Sequence, residues 1–109
     1  MAYDEGVARR VRAVFAERHD VIEKKMFGGL AFMLSGNMCC GVLGDDLMAR
    51  VGPEQYADAL LQPHARLMDF TGRSMRGFVY VAPEGYATDS DLWAWVDRCV
   101  QFAESLPPK

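Results

Sequence analysis

The run Leu30-Ala31-Phe32-Met33-Leu34-Ser35-Gly36-Asn37-Met38-Cys39-Cys40-Gly41-Val42-Leu43-Gly44-Asp45-Asp46-Leu47-Met48-Ala49-Arg50-Val51 decides the fold. Its apolar segments, Leu30 to Leu34, Met38 to Leu43 and Leu47 to Val51, have strand length. They are separated by Ser35-Gly36-Asn37 and Gly44-Asp45-Asp46, three-residue connections whose glycine and amide or acid suit hairpins. The pattern predicts an antiparallel meander. A segment as apolar as Leu30 to Leu34 reads as a central strand covered on both faces. In the last segment Leu47, Ala49 and Val51 alternate with Met48 and Arg50, so Arg50 is its one distinct polar position.

On the N-terminal side, Val7, Val11, Val14 and Phe15 repeat at i, i+4, i+7 and i+8, which predicts a helix from about Asp4 to Arg18 with Asp4 as N-cap. On the C-terminal side, Pro53 fits the first turn of a short helix to Leu61, ended by Pro63. A second β unit follows, Leu67 to Phe70 and Gly77 to Ala82, linked by Thr71 to Arg76 and closed by Pro83-Glu84-Gly85. Thr88 and Asp91 have capping-box-like spacing ahead of a stripe of Leu92, Val96, Cys99, Ala103 and Leu106. Trp95 and Phe102 widen that stripe on one flank, Trp93 and Val100 on the other. A helix resting on one sheet needs a narrower face. The expected class is α+β: an antiparallel meander flanked by an N-terminal and a C-terminal helix.

At 109 residues, 50% apolar and 25% charged, the chain has the make-up of one globular domain, residues 1–109. No apolar run approaches the ~20 residues of a membrane helix and no signal-peptide pattern precedes Asp4 and Glu5, so a soluble, cytoplasmic protein is expected. The net charge of −3 gives no general attraction to nucleic acid or acidic membrane. Only two stretches are locally basic: residues 1–25, with six cations against five acids, and 66–80, with three against one.

The chain carries no recognisable catalytic constellation. His19 and His64 are isolated in sequence, and no nucleophile elbow, zinc-protease helix or phosphate-binding loop occurs. Three cysteines, two of them adjacent, fit reduced thiols buried as small hydrophobes. In a regular strand Cys39 and Cys40 would point to opposite faces, which disfavours a shared metal or a disulfide. The seven methionines read as core filling rather than copper ligands, and no cofactor or metal is expected. Arg50 needs either a structural partner, Asp69 being the candidate, or an anion to bind. Arg66, Arg73 and Arg76, interleaved with Phe70, Phe78 and Tyr80, form the one segment that resembles a weak nucleic-acid surface.

A resemblance adds to this. Lys25-Met26-Phe27-Gly28-Gly29-Leu30, an apolar strand, Gly36, a second strand and Leu47-Met48-Ala49-Arg50-Val51 are followed by Met68-Asp69-Phe70-Thr71-Gly72-Arg73, Gly77-Phe78-Val79-Tyr80-Val81-Ala82-Pro83 and Leu92-Trp93-Ala94-Trp95. In this order, over residues 22–106, they resemble the TfoX/Sxy N-terminal domain family. The resemblance implies an α+β fold with an antiparallel sheet and flanking helices, here as a single stand-alone domain. In the family's best-known members this domain is joined to a C-terminal domain, and the whole regulates DNA transformation competence with the transcription machinery. It implies no catalytic residues; the matching positions Met26, Phe27, Gly28, Gly29, Arg50, Tyr80 and Pro83 have structural explanations.

The expected function is therefore a non-enzymatic binding or regulatory module that works through a protein partner in transcription complexes. Arg50, Arg73 and Arg76 are its candidate partner or anion contacts. Trp93, Trp95 and Phe102 are candidates for self-association as a homodimer, because some of that wide helix face should meet another surface. Two other readings remain: a small ligand-binding protein or enzyme with a pocket near Arg50, and a weak nucleic-acid binder through the 66–80 hairpin.

Overall fold

Six strands form one antiparallel sheet in the computed structural model, which describes residues 3–26, 28–70 and 73–108, with backbone alone at 69, 70 and 73–75. The strands are β1 (Val21–Met26), β2 (Gly29–Leu34), β3 (Asn37–Leu43), β4 (Asp46–Arg50), β5 (Ala65–Phe70) and β6 (Arg73–Val81). Their order across the sheet is β1-β2-β3-β4-β6-β5. β2, β3 and β4 follow the expected meander, and β1 extends it by one strand at the edge. The long last strand then inserts between β4 and β5, pairing Met48 with Tyr80 on one side and Arg66 with Tyr80 on the other.

Three helices accompany the sheet: α1 (Glu5–Val14), α2 (Tyr56–Leu60) and α3 (Asp89–Glu104), with a 3-10 turn at Pro83–Tyr86. Asp4 caps α1 by accepting from the Val7 N–H at 3.1 Å, and Thr88 caps α3 by accepting from the Asp91 N–H at 3.1 Å. The helices are shorter than their apolar periodicity suggests. Past Val14 the chain continues as turns to Arg18, which keeps Phe15 buried without a further helical turn.

Local geometry corrects two expected boundaries. Ser35 and Gly36 both take positive φ, 50° and 85°, so the β2–β3 turn has two residues and Asn37 joins β3. Asn37 is buried and donates from Nδ2 to the Pro107 carbonyl at 2.9 Å, which fastens the end of the chain to this hairpin. The linker expected at 71–76 is largely strand: β6 begins at Arg73, while Thr71 and Gly72 lie outside the described residues.

Both faces of the sheet are apolar. On one, Leu30, Phe32, Val42, Leu47, Ala49, Val79 and Val81 meet Val11 and Phe15 from the α1 segment and Leu92, Trp95, Val96 and Cys99 of α3. On the other, Ala31, Met38, Met48, Met68 and Tyr80 are buried together, with Met26, Met33, Leu43 and Phe78 packed around them. Alternation along β2 explains the division: residues 30, 32 and 34 turn to the helices and 31 and 33 turn away. Five methionines fill the second face, where flexible unbranched side chains suit a surface without a helix over it.

Candidate functional site

The widened apolar face of α3 resolves into two flanks with different fates. Trp95 is 6% exposed, lies against the sheet and carries the Arg98 guanidinium 5.4 Å from its ring centroid. Trp93, two positions earlier, is 56% exposed. Phe102 is half-buried and pressed on Gly52, where a Cβ would come within 2.3 Å of its ring. Gly52 is also held at φ 85°, so glycine is needed there twice over. Of the three aromatic residues expected at a self-association surface, Trp93 is thus the one left open.

Trp93 borders a hollow of about 230 Å³ between α1 and α3, lined by Arg10, Ala13, Val14, Asp89 and Leu92. On the other side of α1 lies a hollow of about 390 Å³, lined by Phe15, Ala16, Val21, Ile22 and Phe32 among others, where Ile22 is 62% exposed. Ionic clasps hold this region. Arg10 donates to the Tyr86 and Ala87 carbonyls at 3.0 and 3.2 Å and approaches Asp89 at 3.4 Å. Arg18 bridges Asp20 at 3.0 Å and Glu104 at 2.9 Å, and Arg12 grips Glu23 through two bonds of 2.6 and 2.7 Å. These bonds hold the carboxyls of Asp20 and Glu23 below their ordinary range. They also neutralise much of the basic character of residues 1–25.

Arg50 sits at the end of β4, opposite Phe78 of β6. Its guanidinium lies 5.5 Å from the Phe78 ring centroid and 5.2 Å from that of Phe102, and donates to the Met38 carbonyl at 3.3 Å. The side chain of its expected partner Asp69 lies outside the described residues. The backbone register sets Asp69 on β5 opposite Ser74, past a register shift after Leu67, with β6 between it and β4. A hollow of about 290 Å³ adjoins this end of the sheet, lined by Val51, Pro53, Gln55, Gln101 and Phe102 among others; Arg50 stands beside it and not in its wall.

In the 66–80 segment, Arg66 binds Asp46 at 2.6 Å and stacks 4.9 Å from the Tyr80 ring centroid. Arg76 is exposed, and the side chain of Arg73 lies outside the described residues. Of the interleaved aromatic residues, Tyr80 is buried in the methionine face and Phe78 packs beside it, while the side chain of Phe70 lies outside the described residues.

All three cysteines are free and buried as expected, but Cys39 and Cys40 do not face opposite sides of the sheet. β2 and β3 change register between Phe32 and Met33: Phe32 pairs with Cys40 but Met33 with Met38, so Cys39 is an extra, bulged residue. The bulge turns Cys39 and Cys40 into the same helix-side core, where Cys99 of α3 also lies. The expectation of opposite faces fails because it assumed an unbroken pleat. A hydrogen bond with Cys39 and burial push the Cys40 thiol up, and burial does the same for Cys99, so both remain protonated and unreactive. Among the described residues no group of His, Cys, Asp and Glu is arranged to hold a metal ion.

His64 is brought into a small cleft with Glu84, Asp91 and Arg98, a proximity that sequence spacing does not show. His64 has φ 68° and its carbonyl accepts from the Ala82 N–H at 3.0 Å, which accounts for it as a turn residue. No helix of the described residues is long and apolar enough to cross a membrane.

A six-stranded antiparallel sheet with helices against one face and methionines on the other defines an α+β domain. The family model for the TfoX N-terminal domain matches residues 13–103, most of the chain, and the protein belongs to that family. No curated protein matches the chain.

Proposed function

We propose that this TfoX N-terminal domain is a cytoplasmic, non-enzymatic regulatory module that acts by binding a protein partner, with competence-type transcription complexes as its setting. The observation that supports this most is Trp93: an indole more than half exposed, at the rim of a hollow walled by Val14 and Leu92. Exposed aromatic residues beside apolar hollows are the usual anchors of protein interfaces. A second copy of the chain, related by a two-fold axis, is the simplest occupant.

Light scattering at micromolar concentration, on the wild type and on Trp93→Ala, tests the self-association. A dimer that becomes a monomer on this substitution supports the reading, and a monomeric wild type removes the second copy as occupant. Affinity capture from the native cell with both proteins then tests the remaining partner. A set of captured proteins identical for wild type and Trp93→Ala would rule out this surface.

A further inference from the structure

Four of the described arginines are half-buried: Arg10, Arg18, Arg50 and Arg98. Three of them hold a carboxylate, Arg10 with Asp89 at 3.4 Å, Arg18 with Glu104 at 2.9 Å and Arg98 with Asp58 at 2.9 Å. Arg50 has none among the described residues. A partly desolvated guanidinium is costly to leave without a counter-charge, and the protein meets that cost only in part. Two aromatic faces and one carbonyl stabilise the cation, at 5.5, 5.2 and 3.3 Å.

These contacts fix the plane of the guanidinium without using most of its five donors. Arg50 is half-buried, and the Met38 carbonyl takes only one of its N–H groups among the described residues. Phe78 is its cross-strand neighbour on β6 and Phe102 comes from α3, so the sheet and the last helix hold the group together. A guanidinium fork whose orientation is already set loses less entropy on taking a ligand than a free side chain does.

We propose that Arg50 is a preorganised receptor for a carboxylate supplied from outside the chain, and that this carboxylate completes an ion pair that the described residues leave open. Charge decides the class. The group carries one positive charge, and the two rings stacked on it, Phe78 and Phe102, are apolar, so a monoanion is balanced there and a phosphate dianion is not. The carboxylate can be a free small acid or an acidic side chain of a protein. The planar fork matches both through two parallel hydrogen bonds. This proposal does not depend on Trp93 or on the partner reading above.

The test follows the Arg50 Nε–H signal by NMR in full-length protein carrying nitrogen-15, titrated with sodium acetate, with N-acetyl-glutamate amide, with sodium phosphate and with sodium chloride at matched ionic strength. Saturable shifts confined to Arg50 are expected with both carboxylates, with dissociation constants on the order of millimolar. If only acetate acts, the receptor takes a free acid, whereas action of the glutamate probe as well admits a protein side chain. Arg50→Met should abolish the response, read from the amides of Val51 and Phe78. Arg50→Lys, which keeps the charge but not the fork, should weaken it about tenfold. The proposal is overturned by a response equal to that of chloride, by tighter binding of phosphate than of acetate, or by carboxylate binding that survives in both variants.

Discussion

The two tryptophans of α3 stand two residues apart and live in different solvents. Trp95 is packed on the sheet in the helix-side core, while Trp93 turns away beside Val14 of α1. Two residues on a helix are separated by about 200° of rotation, so one sheet can cover only one of them. The indole at 95 contributes to folding through burial. The indole at 93 leaves apolar area uncovered.

The largest expected effect breaks that symmetry directly. Trp95→Ala should lose roughly 3 to 5 kcal/mol of folding free energy, through lost transfer and an unfilled cavity. Trp93→Ala should change stability by no more than about 0.5 kcal/mol, as surface substitutions do. Denaturant titrations of both variants measure this. Equal losses would mean that Trp93 is covered within the monomer and would remove it as an anchor.

A smaller effect sharpens the comparison at the start of α3. Thr88→Ala removes the acceptor for the Asp91 N–H and should cost about 1 kcal/mol. The loss should fall on the buried and open flanks alike, since the cap holds the helix and not either tryptophan. Thermal melts of Thr88→Ala alone and with Trp93→Ala check this, and additive losses are expected. A coupled loss would show that Trp93 helps to seat the first turn.

Tyr86 gives the same region a dependence on alkali. It is buried, its hydroxyl donates to the Asp45 carbonyl, and burial pushes its ionisation up to about 12 from the usual 10. A raised value means that the folded state keeps its proton longer than the unfolded chain. The stabilisation is therefore complete below pH 10 and is lost as pH rises from 10 towards 12. Tyr86→Phe should flatten the fall in stability across that window. An unchanged alkaline slope would show that another group controls it.

The meander was legible in sequence because Leu30 to Val51 combines strand-length apolar runs with glycine turns, and local signals suffice for such connections. The place of β6 was not, because a strand inserted between β4 and β5 is a long-range pairing that no window of sequence records. The pair Cys39-Cys40 misled for a related reason: a bulge is set by the register against β2, not by the two residues. At α3 the excess of apolar surface was readable from helical spacing, yet which tryptophan faced the sheet was not. That depends on how α1 lies against the helix, through Arg10 at its start and Arg18 at its end. The aromatic partners of Arg50 were equally hidden, Phe102 being far away in sequence.

The smallest expected effect concerns the outer side of α1, where Arg12 holds Glu23 of β1 next to the exposed Ile22. The Arg12 hydrogen bonds lower the Glu23 carboxyl from its ordinary value of 4.5, so the folded state gives up this proton more readily than the unfolded chain. The pair stabilises the fold fully above pH 4.5 and loses that contribution as pH falls further. Both side chains are more than a third solvent-exposed, so screening limits the contribution to about 0.2–1 kcal/mol. Glu23→Gln should lower stability by that amount at pH 7 and by nothing near pH 2, and added salt should shrink the difference. If the loss at pH 7 instead exceeds about 2 kcal/mol, the pair is not behaving as a surface bridge. It would then be holding α1 against the sheet edge, and the surface that Trp93 shares with Val14 would depend on it.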